Sequence, residues 1–436
     1  MIATIVISII TVVLITISIL FFPKIKIGKI ELDTYWMIAL LGAIVLLVTS
    51  LSPINQVGDQ LIKNTTINPL KILVLFFSMT FLSIVLDELG LFKYLANVAS
   101  KKAKDKQMTL FLMFYFLTSV LTIFTSNDIV ILTLTPFICM FCKNAKIKAI
   151  PYLIAEFTAA NTWSLMIVIG NPTNIYLATS AGIDFVNYFK VMALPTLSAG
   201  LVELALLYLL FRKHLHEQIN VEIEDEHLFN KTMTFIALGH LVVCLIFLII
   251  SNYIGIEMYL VSLICATSLL ISLIVMSIFK KNKWITIGDS LKRLPYPLIP
   301  FFLSMFVIVV ALNYQGITST IGNFFGNNHT VWVYGYSSFL ASNLINNIPM
   351  SILYSHLSLS LDSGNYLIGI FASIIGSNIG AFLTPLGALA GIMFINLVNK
   401  EKIDFKFIDF VKYGSIISIP TITAALGILI LTISFI

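Results

Sequence analysis

Apolar segments of about 20 residues recur from one end of this chain to the other, and they constrain its fold more than any other feature. A helix of about 20 residues crosses the hydrocarbon core of a bilayer, which is about 30 Å thick. Hydrophobic residues make up 58% of the chain and charged residues 11%, whereas a soluble domain carries about 25% charged residues to cover its surface. The sequence therefore predicts an all-α polytopic membrane protein.

Ten segments are predicted to be spans, and two further apolar segments are interrupted by polar residues. The first span lacks the positively charged leading region of a signal peptide, so we expect it to be retained. An unpaired backbone group cannot face lipid, so the interrupted segments are predicted to be re-entrant helical hairpins, 107–142 broken at 125–128 and 331–358 broken at 342–349. The predicted spans are residues 3–22, 35–52, 69–98, 151–178, 190–211, 232–251, 256–279, 296–314, 364–396 and 412–435.

Six clusters of basic residues set the predicted orientation, because short loops rich in Lys and Arg stay in the cytoplasm. An N-terminus outside the cell places all six in the cytoplasm. The hairpin 107–142 then enters from the cytoplasm, and the hairpin 331–358 enters from outside. The clusters are Lys24/Lys26/Lys29, Lys101/Lys102/Lys104/Lys106, Lys143/Lys146/Lys148, Arg212/Lys213, Lys280/Lys281/Lys283/Lys292/Arg293 and Lys400/Lys402/Lys406/Lys412.

This count predicts two inverted repeats of about five transmembrane helices, each with a hairpin and a broken helix, as in many secondary transporters. A short echo supports the repeat: Asn161 follows Asn127 by 34 residues, and Asn378 follows Asn346 by 32. The predicted divisions are a first repeat at 1–211 with hairpin 107–142 and broken helix 151–178, a cytoplasmic linker at 212–231, and a second repeat at 232–436 with hairpin 331–358 and broken helix 364–396.

Four polar breaks at membrane depth supply the candidate binding groups. Half-helix ends bind anions at their N-termini and cations or hydroxyl donors at their C-terminal carbonyls. Ordinary kinks and interhelical hydrogen bonds are the alternative, but four breaks in paired positions favour one shared substrate site. The candidate substrate- and ion-binding residues are Ser126, Asn127, Asp128, Asn161, Asn171, Thr173, Asn174, Ser342, Asn343, Asn346, Asn347, Ser377, Asn378 and Thr384.

Carboxylates within the predicted spans are candidates for ion coupling, because a charge in the membrane interior is costly and is functional by default. Asp128 is the first candidate for carrying a proton or meeting a cation. The alternative is that Asp128 caps the second helix of its hairpin, which is compatible with that role. Glu156 is the second proton-coupling candidate. Glu156 and Glu203 are either proton relay members or buried partners of a Lys. Asp87 and Glu88 precede a predicted helix break and are either gating or structural residues.

Several other functions lack their sequence signals. Cys139 and Cys142 have C-x-x-C spacing but no His or third Cys nearby, so we predict packing rather than a metal site. No G-x-x-x-x-G-K-[ST] loop is present to bind ATP phosphates, and no nucleic-acid motif accompanies the net charge of +5. We expect no cofactor, no metal and no nucleic-acid partner, and an energy source in an ion gradient, the membrane potential or a separate ATPase.

The polar breaks lie within motifs that resemble those of the arsenical pump membrane protein family, in the same order and spacing. The resemblance extends roughly from residue 35 to the end, and it is specific for the ion transporter superfamily, which also contains sodium/proton antiporters and dicarboxylate/sodium symporters. The motifs are LDELGLF at 86–92, SND at 126–128 with LTP at 134–136, SNLINNIP at 342–349, and GSNIG at 376–380 with LTPLGALA at 383–390.

The resemblance implies a multi-pass protein of the plasma (inner) membrane of a bacterium. It implies arsenite and antimonite export driven by proton exchange or membrane potential, with optional coupling to a cytoplasmic ATPase subunit. One departure concerns charge: where arsenite pumps carry an Ile-Ala-Asp-Thr-type sequence, this chain has Asn161 in place of the Asp. One titratable group is thereby removed from the expected centre.

Several functions remain open on the sequence. The first is efflux of a small inorganic oxyanion or metalloid hydroxide, with arsenite first. Sodium/proton antiport at Asp128 is the second. Sodium-coupled carboxylate uptake is disfavoured because the spans hold few cations, and a channel or structural subunit would not need two paired sets of breaks. The expected partners are the substrate, protons or sodium, the lipid bilayer and a second copy in a homodimer.

Overall fold

The computed structural model describes residues 1–27, 30–62, 68–103, 106–217, 227–279 and 285–435. Part of the predicted linker 212–231 and five lysines of the basic clusters lie outside the described residues. These lysines are Lys29, Lys104, Lys280, Lys281 and Lys283. The α-helices are α1 (Ile2–Phe21), α2 (Thr34–Val48), α3 (Ile54–Ile62), α4 (Pro69–Glu88), α5 (Leu91–Ala103), α6 (Gln107–Phe124), α7 (Asn127–Asn144), α8 (Ile150–Trp163), α9 (Pro172–Ser180), α10 (Phe185–Leu215), α11 (Lys231–Ile250), α12 (Met258–Phe279), α13 (Ile285–Lys292), α14 (Leu298–Tyr314), α15 (Ile317–Phe325), α16 (Thr330–Ile345), α17 (Asn347–Leu357), α18 (Ser363–Gly380), α19 (Leu389–Lys400) and α20 (Phe407–Thr432).

Helices dominate the described chain, and the predicted all-α polytopic fold is confirmed. Seven described helices are long and apolar enough to cross a membrane, namely α1, α4, α6, α10, α11, α12 and α20. In α4, 78% of the apolar window is buried, against 33% in α1 and in α11. The helix α4 therefore lies in the centre of the bundle, whereas α1 and α11 leave most of their surface for lipid.

A two-stranded hairpin between α1 and α2 is a feature that the sequence did not predict. Its strands β1 (Lys24–Ile27) and β2 (Ile30–Asp33) pair antiparallel. Side chains alternate between the two faces of a strand, so Lys24 and Lys26 share a face, and both form ion pairs with Glu31 across the ladder, at 3.9 and 3.1 Å. Such cross-strand pairs stabilise a short hairpin outside the apolar spans.

The element order of the first half recurs in the second half. A helix pair (α1 with α2, α11 with α12) is followed by a long helix (α4, α14), a hairpin (α6 with α7, α16 with α17), two half-helices (α8 and α9, α18 and α19) and a last helix (α10, α20). The contacts recur as well: α2 packs on α14 while α12 packs on α4, and α7 packs on α19 while α17 packs on α9. This equivalence agrees with the predicted division at 1–211 and 232–436, which stays a prediction.

The two hairpins turn within one or two residues. Between α6 and α7, Thr125 and Ser126 are extended. Between α16 and α17, Asn346 alone lies outside the helices, with a left-handed φ of 70°. This break is narrower than the predicted 342–349, because Pro349 falls in the first turn of α17, where a missing N–H costs no hydrogen bond.

Close packing of α16 against α18 depends on glycine, since a Cβ added at Gly376 would overlap Ser338 Oγ and the Gly335 carbonyl oxygen. We predict that Gly376→Ala lowers stability by about 1–3 kcal/mol, the usual cost of overpacking. Thermal unfolding of the purified protein in detergent measures this. Gly427→Ala in α20 is the control, because a Cβ added there would meet no neighbouring atom within 4 Å. Equal melting midpoints for the two variants would show that close packing at Gly376 does not contribute to stability.

Candidate functional site

The two hairpin tips and the breaks that follow them converge on one cavity of about 230 Å³. Each of these four segments presents polar side chains or half-helix ends to the cavity. The cavity therefore joins elements that stand more than 200 residues apart in the chain. The residues of these segments that line it are Ser126, Asp128, Asn171, Pro172, Asn347, Ile348, Ala388 and Leu389.

Behind the cavity, a buried network of carboxamides links the two halves. Asn127 Nδ2 donates to Asn161 Oδ1 at 3.2 Å. Ser164 Oγ donates to Asn378 Oδ1 at 2.8 Å, and Asn378 Nδ2 donates to Asn174 Oδ1 at 2.6 Å. Asn174 Nδ2 returns to the Ser164 carbonyl oxygen at 2.8 Å. The side chains of these four asparagines thus form hydrogen bonds that join the breaks of the two halves. Ser164, which was not among the predicted site residues, completes the network.

A second group of predicted residues closes the second hairpin onto its own broken helix. Asn343 Nδ2 donates to the Gly380 carbonyl oxygen at 2.9 Å, and Asn343 Oδ1 accepts from the Thr384 amide and hydroxyl at 3.0 and 2.7 Å. Asn346 Nδ2 donates to the Leu386 carbonyl oxygen at 3.2 Å. These side chains satisfy free backbone groups, so their contacts are those of bracing residues.

The three predicted residues not yet described are Thr173, Ser342 and Ser377. Asn171 Oδ1 accepts from the Thr173 amide and hydroxyl, both at 3.0 Å, and so caps α9. Ser342 donates to the Phe339 carbonyl oxygen at 2.9 Å. Ser377 is fully buried in α18.

Some buried polar atoms near the tips have no hydrogen-bond partner within the described part of the chain. A buried group left in this state costs about 1–3 kcal/mol, so such atoms are the groups most available to a bound molecule. Ser126 and Asn171 contribute such atoms and also line the cavity. The four atoms are Ser126 Oγ, Asn127 Oδ1, Asn171 Nδ2 and Ser377 Oγ.

Asp128 lines the cavity from the first turn of α7, where the helix dipole favours a negative charge. The alternative that Asp128 caps α7 is wrong, because the N-cap position belongs to Ser126 and Asp128 lies inside the helix. No hydrogen bond or ion pair joins the Asp128 side chain to another described residue. Its carboxylate is thus available to solvent or substrate in the cavity.

Two other carboxyl groups are completely buried away from the cavity. Thr135 Oγ1 lies 3.2 Å from both carboxyl oxygens of Glu156, and Thr158 Oγ1 donates to Glu203 at 2.9 Å. No described Lys or Arg forms an ion pair with either carboxyl group, so the alternative of a lysine partner gains no support. Thr135 follows Asp128 by seven residues, two turns along the same face of α7.

Arg293 is a cavity residue that the sequence reasoning treated only as part of a basic cluster. Its Nη2 lies 2.6 Å from Asp87 Oδ2, and its Nη1 lies 2.5 Å from Glu88 Oε1. Arg293 and Glu88 are 205 residues apart, so no local pattern reveals the pair. The available signal was an acidic pair at the end of one span and an arginine just before the start of another.

Asp33 also lines the cavity. Partial burial raises the pKa of the Asp33 carboxyl, and the Lys24 ammonium opposes this shift. Among the lining residues, Asp33 and Asp128 are acidic and Arg293 is basic, and Arg293 is already paired with two carboxylates. When Asp33 and Asp128 are ionised, the cavity lining therefore carries excess negative charge beside uncharged hydrogen-bonding groups.

We predict that Arg293→Ala destabilises the protein, because Asp87, whose side chain is 5% exposed, loses its counter-charge. Arg293 is itself 32% exposed, so we expect a loss of about 1–3 kcal/mol rather than the larger cost of a fully buried pair. Adding Asp87→Asn to Arg293→Ala should recover part of the loss in thermal unfolding. Lys292→Ala is the control, since Lys292 is exposed. If the double variant is no more stable than Arg293→Ala alone, the unpaired Asp87 carboxylate is not the cause of the lost stability.

The comparisons with known proteins agree with this geometry. A family model described as citrate transporter (CitMHS) matches residues 30–376. The arsenical pump membrane protein of Escherichia coli (strain K12) is 26% identical over 419 residues, which cover 91% of this chain and 93% of that protein. The putative arsenical pump membrane protein of Bacillus subtilis (strain 168) is 24% identical over 421 residues, covering 88% and 90%. The predicted resemblance to arsenical pump membrane proteins is confirmed.

Among solved structures, the crystal structure of the Alcanivorax borkumensis YdaH transporter matches with a TM-score of 0.55. The match covers 100% of this chain and 98% of that one, at 12% sequence identity. At this identity the match shows a shared fold and carries no statement about substrate.

Proposed function

Because this chain belongs to the citrate transporter (CitMHS) family and is a multi-pass membrane transporter, we propose that it exports arsenite or antimonite. Export takes place across the plasma (inner) membrane of a bacterium and is driven by proton exchange or by the membrane potential. The observation that carries the proposal is the cavity, which both hairpins reach and whose free groups are hydroxyls, carboxamides and carboxylates. These groups suit an uncharged metalloid hydroxide, which both donates and accepts hydrogen bonds.

Charge argues against a carboxylate substrate at this site. A multiply charged carboxylate needs cations with free donors, and Arg guanidinium is the usual partner. Arg293 is the cation that lines the cavity, and Asp87 and Glu88 already occupy its Nη1 and Nη2 groups. Asp33 and Asp128 would repel a carboxylate further. The negative lining favours a neutral or cationic substrate.

Sodium/proton antiport is the second candidate, and a specific set of atoms favours it. The Asp128 carboxylate, Ser126 Oγ and Asn127 Oδ1 belong to one hairpin tip, and none of them has a partner among the described residues. Hard cations prefer oxygen ligands of these types. A sodium ion competing with a proton at Asp128 would give antiport.

Coupling to protons is assigned first to Asp128 and second to Glu156. Asp128 faces the cavity, so a proton can reach it when substrate or water enters. Thr135, two turns along α7, approaches Glu156 at 3.2 Å and extends the polar path away from the cavity. Because Asn161 replaces an acidic residue of the resembling pumps, these two carboxyl groups carry the whole coupling role in this proposal.

Contacts between span ends and loops support the inverted topology. Each one joins residues that the predicted topology places in loops or span halves on the same side of the membrane. On the outer side, Met1 pairs with Gln315, Lys71 with Glu257, and Asp184 with Asn252. On the cytoplasmic side, Asp87 pairs with Arg293, Lys143 with Glu401, and Leu89 with Phe229. The cavity end that holds Asp33 and Arg293 then faces the cytoplasm, where export begins.

Substrate choice is tested by flux into proteoliposomes that contain the purified chain. We expect arsenite to move under an imposed pH gradient, while citrate does not move under pH or sodium gradients, because the cavity repels anions. Protein-free liposomes are the control. Arsenite export is excluded if sodium moves while arsenite does not, and if expression of this chain gives no arsenite tolerance to cells lacking their own pump. Sodium/proton antiport is then the favoured function.

Replacing the coupling group tests the mechanism. We predict that Asp128→Asn reduces proton-coupled flux to the level of protein-free liposomes, because an amide takes up no proton. Size-exclusion profiles should remain those of the unmodified protein. Asp404→Asn is the matched control, since Asp404 is an exposed carboxyl group outside the helices. Full flux with its pH dependence intact in Asp128→Asn removes Asp128 from the mechanism.

A further inference from the structure

Three sulfur atoms from three helices meet away from the transport cavity. The Cys244 thiol on α11 donates to the Met79 thioether on α4, with the two sulfurs 3.7 Å apart. The Cys265 thiol on α12 lies within interaction distance of the Cys244 thiol. All three side chains are buried, and both cysteines are free thiols. Two thiols and a thioether thus form one cluster of soft donor atoms, which we call the sulfur cluster.

The packing of three helices holds the sulfur cluster together. The helices α11 and α12 pack on each other, and both pack on α4. Met79 is adjacent in sequence to Thr80, which lines the transport cavity. Met79 itself is not among the residues that line that cavity, so the sulfur cluster lies outside it.

A second cavity reaches one member of the sulfur cluster, Cys265. Cys265 lines an apolar cavity of about 540 Å³ between α11 and α12. None of the described residues that line this cavity is Asp, Glu, Lys or Arg. His240 also lines it, but its ring nitrogens are engaged by the Ile236 carbonyl oxygen and Ser268 Oγ, at 2.8 and 3.2 Å. Of the residues that line this cavity, the Cys265 thiol is therefore the donor with metalloid affinity.

We propose that Cys244 and Cys265, supported by Met79, form a binding site for a trivalent, thiophilic metalloid, separate from the transport cavity. This inference rests on the proposed function only in one respect: arsenite or antimonite, the proposed substrates, would be the natural ligands of the site. Soft sulfur donors select soft acceptors. The thioether of Met79 contributes a third soft contact without releasing a proton.

The chemistry balances without an oxidant or reductant. When arsenous acid reacts with the two thiols, two As–S bonds form and two As–O bonds break. The two thiol protons leave with the two released hydroxyl groups as water, and arsenic stays trivalent. The product is uncharged, which suits an apolar site.

The second cysteine pair of the chain is the matched comparison. Cys139 and Cys142 are also buried, and they lie three residues apart on α7. Neither lines a described cavity, and among the described residues no methionine sulfur accepts a hydrogen bond from either thiol. Ordinary thiol chemistry is thus equally available at both pairs, while the third soft donor and the access cavity belong to the sulfur cluster.

The test uses the purified full-length chain and phenylarsine oxide, which bridges two thiols with loss of one water molecule. We expect one adduct per chain by intact mass spectrometry, and peptide mapping of the unmodified sequence should assign it to Cys244 and Cys265. Cys244→Ser and Cys265→Ser should each abolish the bridged adduct, whereas Cys139→Ser with Cys142→Ser should retain it. Met79→Leu should lower, several-fold, the concentration of 1,2-ethanedithiol that releases the adduct.

Two results would overturn the proposal: the absence of any bridged adduct, or its assignment to Cys139 and Cys142. Peptide mapping needs no variant, so a serine variant that fails to fold leaves the test intact. Adduct formation also requires no transport. Failure of arsenite flux in proteoliposomes would therefore count against the proposed function alone, and failure of adduct formation would count against the sulfur cluster alone.

Discussion

Every polar backbone group within a bilayer must find a partner inside the protein, and the centre of this structure depends on that requirement. Interrupting helices within the membrane frees amides and carbonyls at each break. Here asparagine side chains form hydrogen bonds with many of these free groups. Asn343, for example, donates to the Gly380 carbonyl oxygen and accepts from the Thr384 amide. A carboxamide serves both kinds of backbone group, because it donates and accepts at once. The breaks can then persist at membrane depth and form a polar cavity.

The balance of charge around that cavity connects the fold to its transport function. Family membership establishes a membrane transporter, yet related proteins carry different substrate names, so substrate selection has to come from local chemistry. Arg293 is held by Asp87 and Glu88, which leaves carboxylates and neutral donors as the accessible groups. Neutral hydroxides and cations are both compatible with such a lining. The same ion cluster joins α4 to the segment before α14.

The sulfur cluster lies apart from the oxygen and carboxamide groups of the transport cavity. Oxygen and carboxamide groups gather where the hairpins meet, while two cysteines and Met79 gather where the peripheral helices α11 and α12 pack on α4. The separation follows from solvent access, because hydrated polar groups need the cavity whereas thiols and thioethers pack readily among apolar side chains. In the two proposals, one chain thus presents a hard site and a soft site to chemically different ligands.

The sequence by itself determined the membrane class, most span positions and the places where helices break, because apolar length, proline, glycine and clustered asparagine act locally. It also identified Asp128 and Asn171, which line the cavity. Only the tertiary structure decided that Ser342 and Asn343 brace the second hairpin, that Asp128 does not cap α7, that Arg293 pairs with Asp87, and that Cys244 meets Met79. These outcomes depend on contacts between residues far apart in the chain, whose geometry is set by helix packing and leaves no periodic signal in the sequence.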